Sequence, residues 1–244
     1  KRQPQRQIHN RLLLLPYVYF ILSIFYLSLT LIIYKNVPES PYKKPDLKLL
    51  KFFNNFKDFG QNLKVLYSLF ISLTLLIMFI SMYSILNSYI TSNKVGGDMS
   101  VASVVKLFGV IGMFLSLLVG RLSGRLGTKR VLTLALSTCV VSLILMGTFT
   151  NIVLITIFSV TFVAGIAFAI PTVISKVGVV VNSNQGFFLS VNTVILFLGT
   201  AIAPILMIYV KQIPNFFLEF LTIAMIGVLA VIVSIFMPND HHVN

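Results

Sequence analysis

Long apolar runs, separated by short polar stretches, dominate the pattern of hydrophobic and polar positions along the chain. A helix needs about 20 mostly apolar residues to cross the hydrocarbon core of a bilayer, and seven runs meet that requirement. Apolar residues in these runs are consecutive, without the period of two that strands of a membrane barrel show. We therefore predict an all-α, polytopic membrane protein with about seven transmembrane helices. The runs are residues 12–34, 65–90, 101–120, 131–150, 152–175, 187–210 and 216–237.

The amino-acid composition excludes a soluble protein. Of the 244 residues, 57% are hydrophobic and 10% are charged, whereas soluble domains have about 45–50% apolar and about 25% charged residues. A disordered chain is excluded as well, because disorder requires few apolar residues. The net charge of +13 would indicate nucleic-acid binding in a soluble protein. In this chain we interpret it as basic loops beside anionic membrane lipid, with no nucleic-acid partner.

The sequence lacks the residue patterns that enzyme and metal sites need. Cys139 is the only cysteine, which excludes an intrachain disulfide and a cysteine-based metal site. The three histidines lie in terminal segments, and the apolar runs contain no paired aspartates and no phosphate-binding loop. We therefore expect no enzymatic activity, no cofactor and no metal.

The linker 35–64 between the first two runs carries seven lysines. Within it, residues 46–59 place leucine and phenylalanine at helical spacing, with lysines over much of the other face. This pattern predicts an amphipathic helix, which either lies on the membrane surface or packs on the transmembrane helices.

Basic residues in short loops indicate the orientation, since they concentrate on the cytoplasmic side of a membrane. With the linker 35–64 inside, twelve basic residues are cytoplasmic (seven in the linker, four in 120–130 and one in 176–186), against two outside. The tail 238–244 is then cytoplasmic. The basic segment before the first run disagrees, which we explain either by earlier spans of a longer protein or by a first run that does not cross. Because the sequence starts at Lys1 rather than Met, the first explanation is favoured.

The stretch 120–130 between the third and fourth runs combines glycines with a basic cluster. We expect the glycines to permit a tight turn between antiparallel helices and the basic residues to hold it at the cytoplasmic face. This stretch resembles the loop signature of the major facilitator superfamily, roughly Gly-x-Leu-x-Asp-Arg-x-Gly-Arg followed by two basic residues. The matching residues are Gly120, Leu122, Arg125, Gly127, Lys129 and Arg130, with Arg121 at an unrestricted position.

Gly124 departs from this signature, since the family usually has Asp there. In the family, that carboxylate helps to lock the cytoplasmic side when the transporter faces outward. The resemblance therefore implies that this loop lacks such a lock. An unrelated basic turn between two helices is the alternative explanation of the stretch.

The resemblance also implies an organisation for the chain. Residues 1–34 contain a helix similar to the family's sixth, residues 35–64 correspond to the linker between its halves, and residues 65–237 resemble its six-helix C-terminal half. The chain would then need the missing N-terminal helices of the same protein in order to transport. The alternative is an N-terminal half with one extra helix, which the antiporter-like residues 199–204 favour and Thr161, in place of an arginine, disfavours.

Residues 164–204 look most like proton-coupled drug-efflux members of the family. The resemblance implies alternating access in the cell membrane, with protons as the coupling ion and a small, partly apolar compound as the substrate. Few charges occur in the runs, which argues against a strongly ionic substrate. The alternatives are a seven-helix receptor or interaction protein and a truncated product that does not transport.

Polar residues inside the runs are candidates for the transport path. A polar stripe in the second run should face the bundle or a water-filled path, because polar side chains avoid lipid. Lys106 is a further candidate, although its long stem could instead reach the outer interface. Asn192 either faces the substrate or bonds to a neighbouring helix. The stripe consists of Ser81, Ser84, Asn87 and Ser88.

Proline and small residues predict where helices bend and where they pack. Pro171 and Pro204 are expected to bend their helices, and the bend at Pro171 either forms a gate or is structural only. Gly112, Ser116, Gly120 and Gly124 recur at every fourth position, which predicts close packing against another helix, with a bending site for the transport motion as the alternative. Glu219, near the outer end of the last run, is interpreted as interfacial or as a proton carrier.

Overall fold

The computed structural model describes residues 3–36, 63–180 and 185–237, which are helical apart from short turns and contain no strand. The prediction of an all-α protein is thereby confirmed. The amphipathic helix predicted over residues 46–59 and the tail 238–244 lie outside the described residues. Lys1–Phe52 and Phe53–Asn244 form two compact units, and each is described by itself.

The first unit contributes helix α1, Gln3–Asn36, which contains Pro16. The predicted span 12–34 is therefore helical. Its described apolar stretch, Tyr19–Lys35, is shorter than the apolar helices of the second unit.

The second unit contains six helical segments that are long and apolar enough to cross a membrane, which confirms six of the seven predicted spans. One of these six segments consists of α3, a single 3₁₀ turn and α4 in succession. The elements are α2 (Leu63–Ile90), α3 (Met99–Phe114), the 3₁₀ turn (Leu115–Leu118), α4 (Val119–Leu126), α5 (Thr128–Thr148), α6 (Ile152–Val180), α7 (Gln185–Val210) and α8 (Phe216–Phe236).

Short polar side chains start two of these helices. The Asp98 carboxylate accepts a hydrogen bond from the backbone N–H of Val101 at 3.0 Å and caps α3. The Asn215 side chain accepts one from the N–H of Phe217 at 3.0 Å and caps α8. Such caps satisfy N–H groups that the first helical turn leaves without a partner.

Helix α2 lies at the centre of the bundle and packs on α6, α7 and α8, while α5 packs on α6 and α8, and α3 packs on α6. Glycines permit several of these crossings. A Cβ at Gly112 would lie 2.6 Å from the carbonyl oxygen of Val160, and one at Gly199 would lie 2.6 Å from that of Leu73. Close backbone approach of this kind supplies the van der Waals contact that holds helices together in lipid.

Large apolar side chains cover the outside of the bundle. Leu107, Phe197 and Phe236 are each about two thirds exposed or more. A water-soluble surface rarely tolerates so much contiguous apolar area, whereas hydrocarbon chains solvate it. The outer surface of the unit therefore fits a bilayer.

Candidate transport site

The stretch 120–130 is mostly helix rather than loop, so the sequence-based assignment of this whole stretch to a turn is wrong. Helix α4 continues from the 3₁₀ turn as far as Leu126, and α5 begins at Thr128. Gly127 alone makes the turn, with a φ of +83° that other residues rarely adopt. A Cβ at Gly120 or Gly124 would meet no atom within 4 Å, so neither is required for close packing. The predicted ladder of small residues therefore packs at Gly112 but not along its whole length.

Helix α4 is amphipathic and places its arginines together. Arg121 and Arg125 are one helical turn apart and exposed, Leu122 is exposed on the neighbouring face, and Val119 is buried. At the start of α5, Lys129 is half-buried and Arg130 is exposed. These positions form a basic surface at one end of the bundle.

The basic surface has no acidic partner among the described residues. Asp98 and Glu219 are the carboxylates within the described ranges, and each lies in or beside the first turn of a helix at the opposite end of the bundle. Gly124 provides no side chain where the family usually has a carboxylate. An acid–base lock at this position is therefore absent from the part of the chain that the structure describes.

The four residues of the polar stripe differ in their environments. Ser81 is fully buried, and its hydroxyl has no hydrogen-bond partner among the described residues. Ser84, Asn87 and Ser88 are half-buried. The hydroxyl of Ser88 donates within its own helix to the carbonyl of Ser84 at 3.4 Å. The stripe thus combines one core residue with three partly accessible ones.

Lys106 lies against an aromatic pair in α2. Its ammonium nitrogen is 5.8 Å from the ring centroid of Tyr83, within the range of a cation–π contact. The Tyr83 ring in turn packs edge-on against Phe79, with centroids 5.0 Å apart. The sequence pattern singled out Lys106 but did not predict its contact with this aromatic pair, although Phe79 and Tyr83 share a helix face at a spacing of four.

Asn192 makes an interhelical hydrogen bond. Its Oδ1 accepts from the hydroxyl of Ser72 at 2.7 Å, and both side chains are about 1% exposed. This bond joins α7 to α2 about two helical turns before the crossing at Gly199. The structure therefore supports the packing interpretation of Asn192.

An apolar cavity of about 400 Å³ lies between α2, α3, the 3₁₀ turn and α6. The hydroxyl of Ser116 is the one side-chain polar group among its lining residues. Most other lining residues carry branched or aromatic side chains. The cavity is lined by Leu76, Phe79, Met113, Ser116, Val163, Ile166, Ala167, Ile170 and Pro171.

Pro171 lies at this cavity, whereas Pro204 is exposed on α7. Both helices continue through their prolines. Because Pro171 has no N–H, the carbonyl of Ala167 loses its usual intrahelical donor. No sequence pattern predicted the cavity, because its wall comes from separate helices.

Two charged residues are more buried than the sequence suggested. The assignment of Lys176 to a loop is wrong, because α6 continues to Val180 and the Lys176 side chain is 3% exposed. Glu219 is 5% exposed, and its Oε2 has no hydrogen-bond partner among the described residues. Neither residue belongs to the cavity.

Comparisons with known proteins identify the fold. A family model described as Major Facilitator Superfamily matches residues 12–204. The crystal structure of a mutant of the peptide transporter POT in complex with alafosfalin is similar, with a TM-score of 0.61 and 19% sequence identity. The similarity covers 70% of this chain and 37% of that chain. The chain thus spans little more than a third of that transporter's length. A comparison of this chain with curated proteins found no match.

Proposed function

Because the chain belongs to the major facilitator superfamily, a family of secondary transporters, we propose that it forms part of a transporter that exports a small, partly apolar compound. The proposed mechanism is alternating access in the cell membrane. In this mechanism, two helical bundles rock about a central site, so that opening on one side closes the other. A proton gradient drives the export.

The apolar cavity between α2, α3 and α6 carries this proposal. Its volume of about 400 Å³ lies in the range of small-molecule sites, which are concave and mostly apolar. Its lining contains one hydroxyl and no charged side chain. A compound with an apolar body fits such a wall, and a sugar or an inorganic ion does not.

A second six-helix bundle completes the transporter in this proposal. The second unit provides six spanning helices, and one bundle cannot alternate its access without a partner against which it rocks. We assign the partner to missing N-terminal helices of the same protein. The end of the bundle that carries α4 faces the cytoplasm, as does the C-terminus, because basic residues concentrate there.

Transport in liposomes tests the proposal. The full transporter is reconstituted with an apolar fluorescent dye, and dye movement is followed before and after the proton gradient is collapsed. Ala167→Leu adds bulk to the cavity wall and should reduce the rate several-fold. Ala201→Leu is the matched control, because Ala201 is exposed on α7 and should tolerate the same change.

Each outcome of this experiment is informative. Dye movement that persists without a proton gradient would contradict proton coupling. Equal rates for the two leucine variants would remove the cavity from the transport path. A full protein that inserts correctly but moves no dye in either direction would favour the alternative, a membrane protein that does not transport.

A further inference from the structure

Lys106 carries a positive charge that no described carboxylate neutralises. It is half-buried and follows the first residue of α3 by seven positions, which places it about 10 Å along the helix axis. Asp98 directly precedes the first residue of α3, eight positions before Lys106, and caps the helix through the N–H of Val101. Charged groups at membrane depth are costly and usually serve a function.

The aromatic pair connects this charge to the cavity. Phe79 lines the cavity and packs edge-on against Tyr83, and the ammonium of Lys106 lies over the Tyr83 ring. Because the two steps measure 5.0 and 5.8 Å, the charge lies within about 11 Å of the Phe79 ring. Met113, another lining residue, lies seven positions after Lys106 and therefore on the same face of α3.

Gly109 positions the polar end of this arrangement. It lies between Lys106 and Met113 on α3, and a Cβ there would lie 2.7 Å from the hydroxyl oxygen of Tyr83. Because glycine has no side chain, the Tyr83 hydroxyl lies close to the backbone of α3, one turn from Lys106. Two hydrogen-bond donors, a phenol and an ammonium, thus lie near each other, and Tyr83 is one helical turn from the cavity-lining Phe79.

We propose that this arrangement binds an organic anion whose apolar body occupies the cavity and whose single negative headgroup pairs with Lys106. The proposal rests on the proposed transport function and narrows its substrate to an amphipathic monoanion such as a carboxylate. A carboxylate accepts both a charge-assisted hydrogen bond from the ammonium and one from the Tyr83 hydroxyl. The single half-buried cation matches one negative charge, and a compound with several charges would leave the others unpaired.

Equilibrium binding to the purified full protein in nanodiscs of zwitterionic lipid tests the proposal. The probes are radiolabelled decanoate and its uncharged counterpart decanol. Lys106→Gln should weaken decanoate binding about 10-fold or more, as expected for loss of a charged hydrogen bond, and should leave decanol binding unchanged. Lys106→Arg should retain decanoate binding. Lys94→Gln is the matched control, because Lys94 is an exposed lysine in the turn before α3.

Several results would overturn the proposal. The pairing of Lys106 with a negative headgroup is contradicted if decanoate binds no more tightly than decanol. It is also contradicted if Lys106→Gln weakens the binding of both probes equally. Displacement of decanoate by phosphatidylglycerol, but not by short soluble carboxylates, would assign the site to a lipid instead of a substrate. Circular dichroism and gel filtration confirm that each variant is folded.

This binding measurement is independent of transport. It needs no gradient and no rocking motion, so intact decanoate selectivity with no dye movement would contradict the proposed export alone. Conversely, dye export by a protein that binds decanoate no better than decanol would support the transporter assignment. It would contradict the proposal that the substrate is an anion.

Discussion

The hydroxyl of Ser72 donates a hydrogen bond to Oδ1 of Asn192 across 2.7 Å, between two helices that otherwise meet through apolar and small side chains. Hydrogen bonds of this kind contribute about 0.6 kcal/mol on average in membrane proteins, and at most about 1.7 kcal/mol. The bond is therefore a modest contribution to stability that links one position of α7 to one position of α2.

Replacing Asn192 by Ala should lower the free energy of unfolding by about 1–3 kcal/mol, because it leaves the buried Ser72 hydroxyl without its acceptor and also opens space. Unfolding in mixed micelles measures the change. A double-mutant cycle with Ser72→Ala should give a coupling of about 0.6 kcal/mol. Thr193→Ala, at an exposed neighbouring position, is the control and should change stability little. Zero coupling would show that the bond contributes nothing to the fold.

Replacing glycine by alanine should have opposite effects on the free energy of unfolding at Gly165 and at Gly120. A Cβ at Gly165 would lie 2.5 Å from Sγ of Cys139 and 2.9 Å from the carbonyl oxygen of Ala135. Gly165→Ala should therefore destabilise the bundle by about 1–3 kcal/mol, as overpacking does.

Gly120→Ala is the matched comparison, because its Cβ would meet nothing within 4 Å inside a helix. Alanine is a better helix former than glycine, so this variant should be neutral or stabilised by about 1 kcal/mol. The same unfolding measurement applies to both. Comparable losses at the two positions would contradict the packing described for α5 and α6.

The spans could be predicted from the sequence because lipid imposes a simple requirement on each run. Apolar length alone located the six helices of the second unit, and their ends differ by a few residues. The largest error lies at 120–126, where the helix continues beyond the apolar run with arginines. Once outside lipid, a helix needs no apolar residues, so hydropathy cannot mark its end. For the same reason, the end of the apolar run placed Lys176 in a loop, although α6 continues to Val180.

The candidate site was less predictable, because it depends on which helices become neighbours. Lys106 was visible as an isolated charge, yet its partner Tyr83 lies on another helix. For Asn192, the sequence could not decide between a substrate contact and a bond to a neighbouring helix, because the answer depends on which helix lies opposite. The cavity is formed where Phe79, Met113 and Pro171 fail to fill the space between three helices, and no pattern within one helix encodes such a gap.

Cysteine labelling should establish the topology. Gly124→Cys places a thiol in open space on α4, and Asn93→Cys places one in the exposed turn before α3. A membrane-impermeant maleimide added from outside should label Asn93→Cys only, and Gly124→Cys should react only after permeabilisation. The native Cys139 is fully buried and should give little background. The reverse labelling pattern would contradict the assignment of the α4 end to the cytoplasm.

Arg125→Ala in the full transporter should impair transport several-fold while leaving membrane insertion intact. Arg125 occupies the arginine position of the family signature, whereas Arg121 falls at an unrestricted one, although both are exposed one turn apart on α4. Because they share a surface and a charge, Arg121→Ala controls for simple loss of positive charge at the membrane. Initial rates of dye export, normalised to the amount inserted, measure the effect. If both variants lose transport equally, the two arginines act through their charge and not through the signature position. If neither loses transport, the proposed role of Arg125 is contradicted.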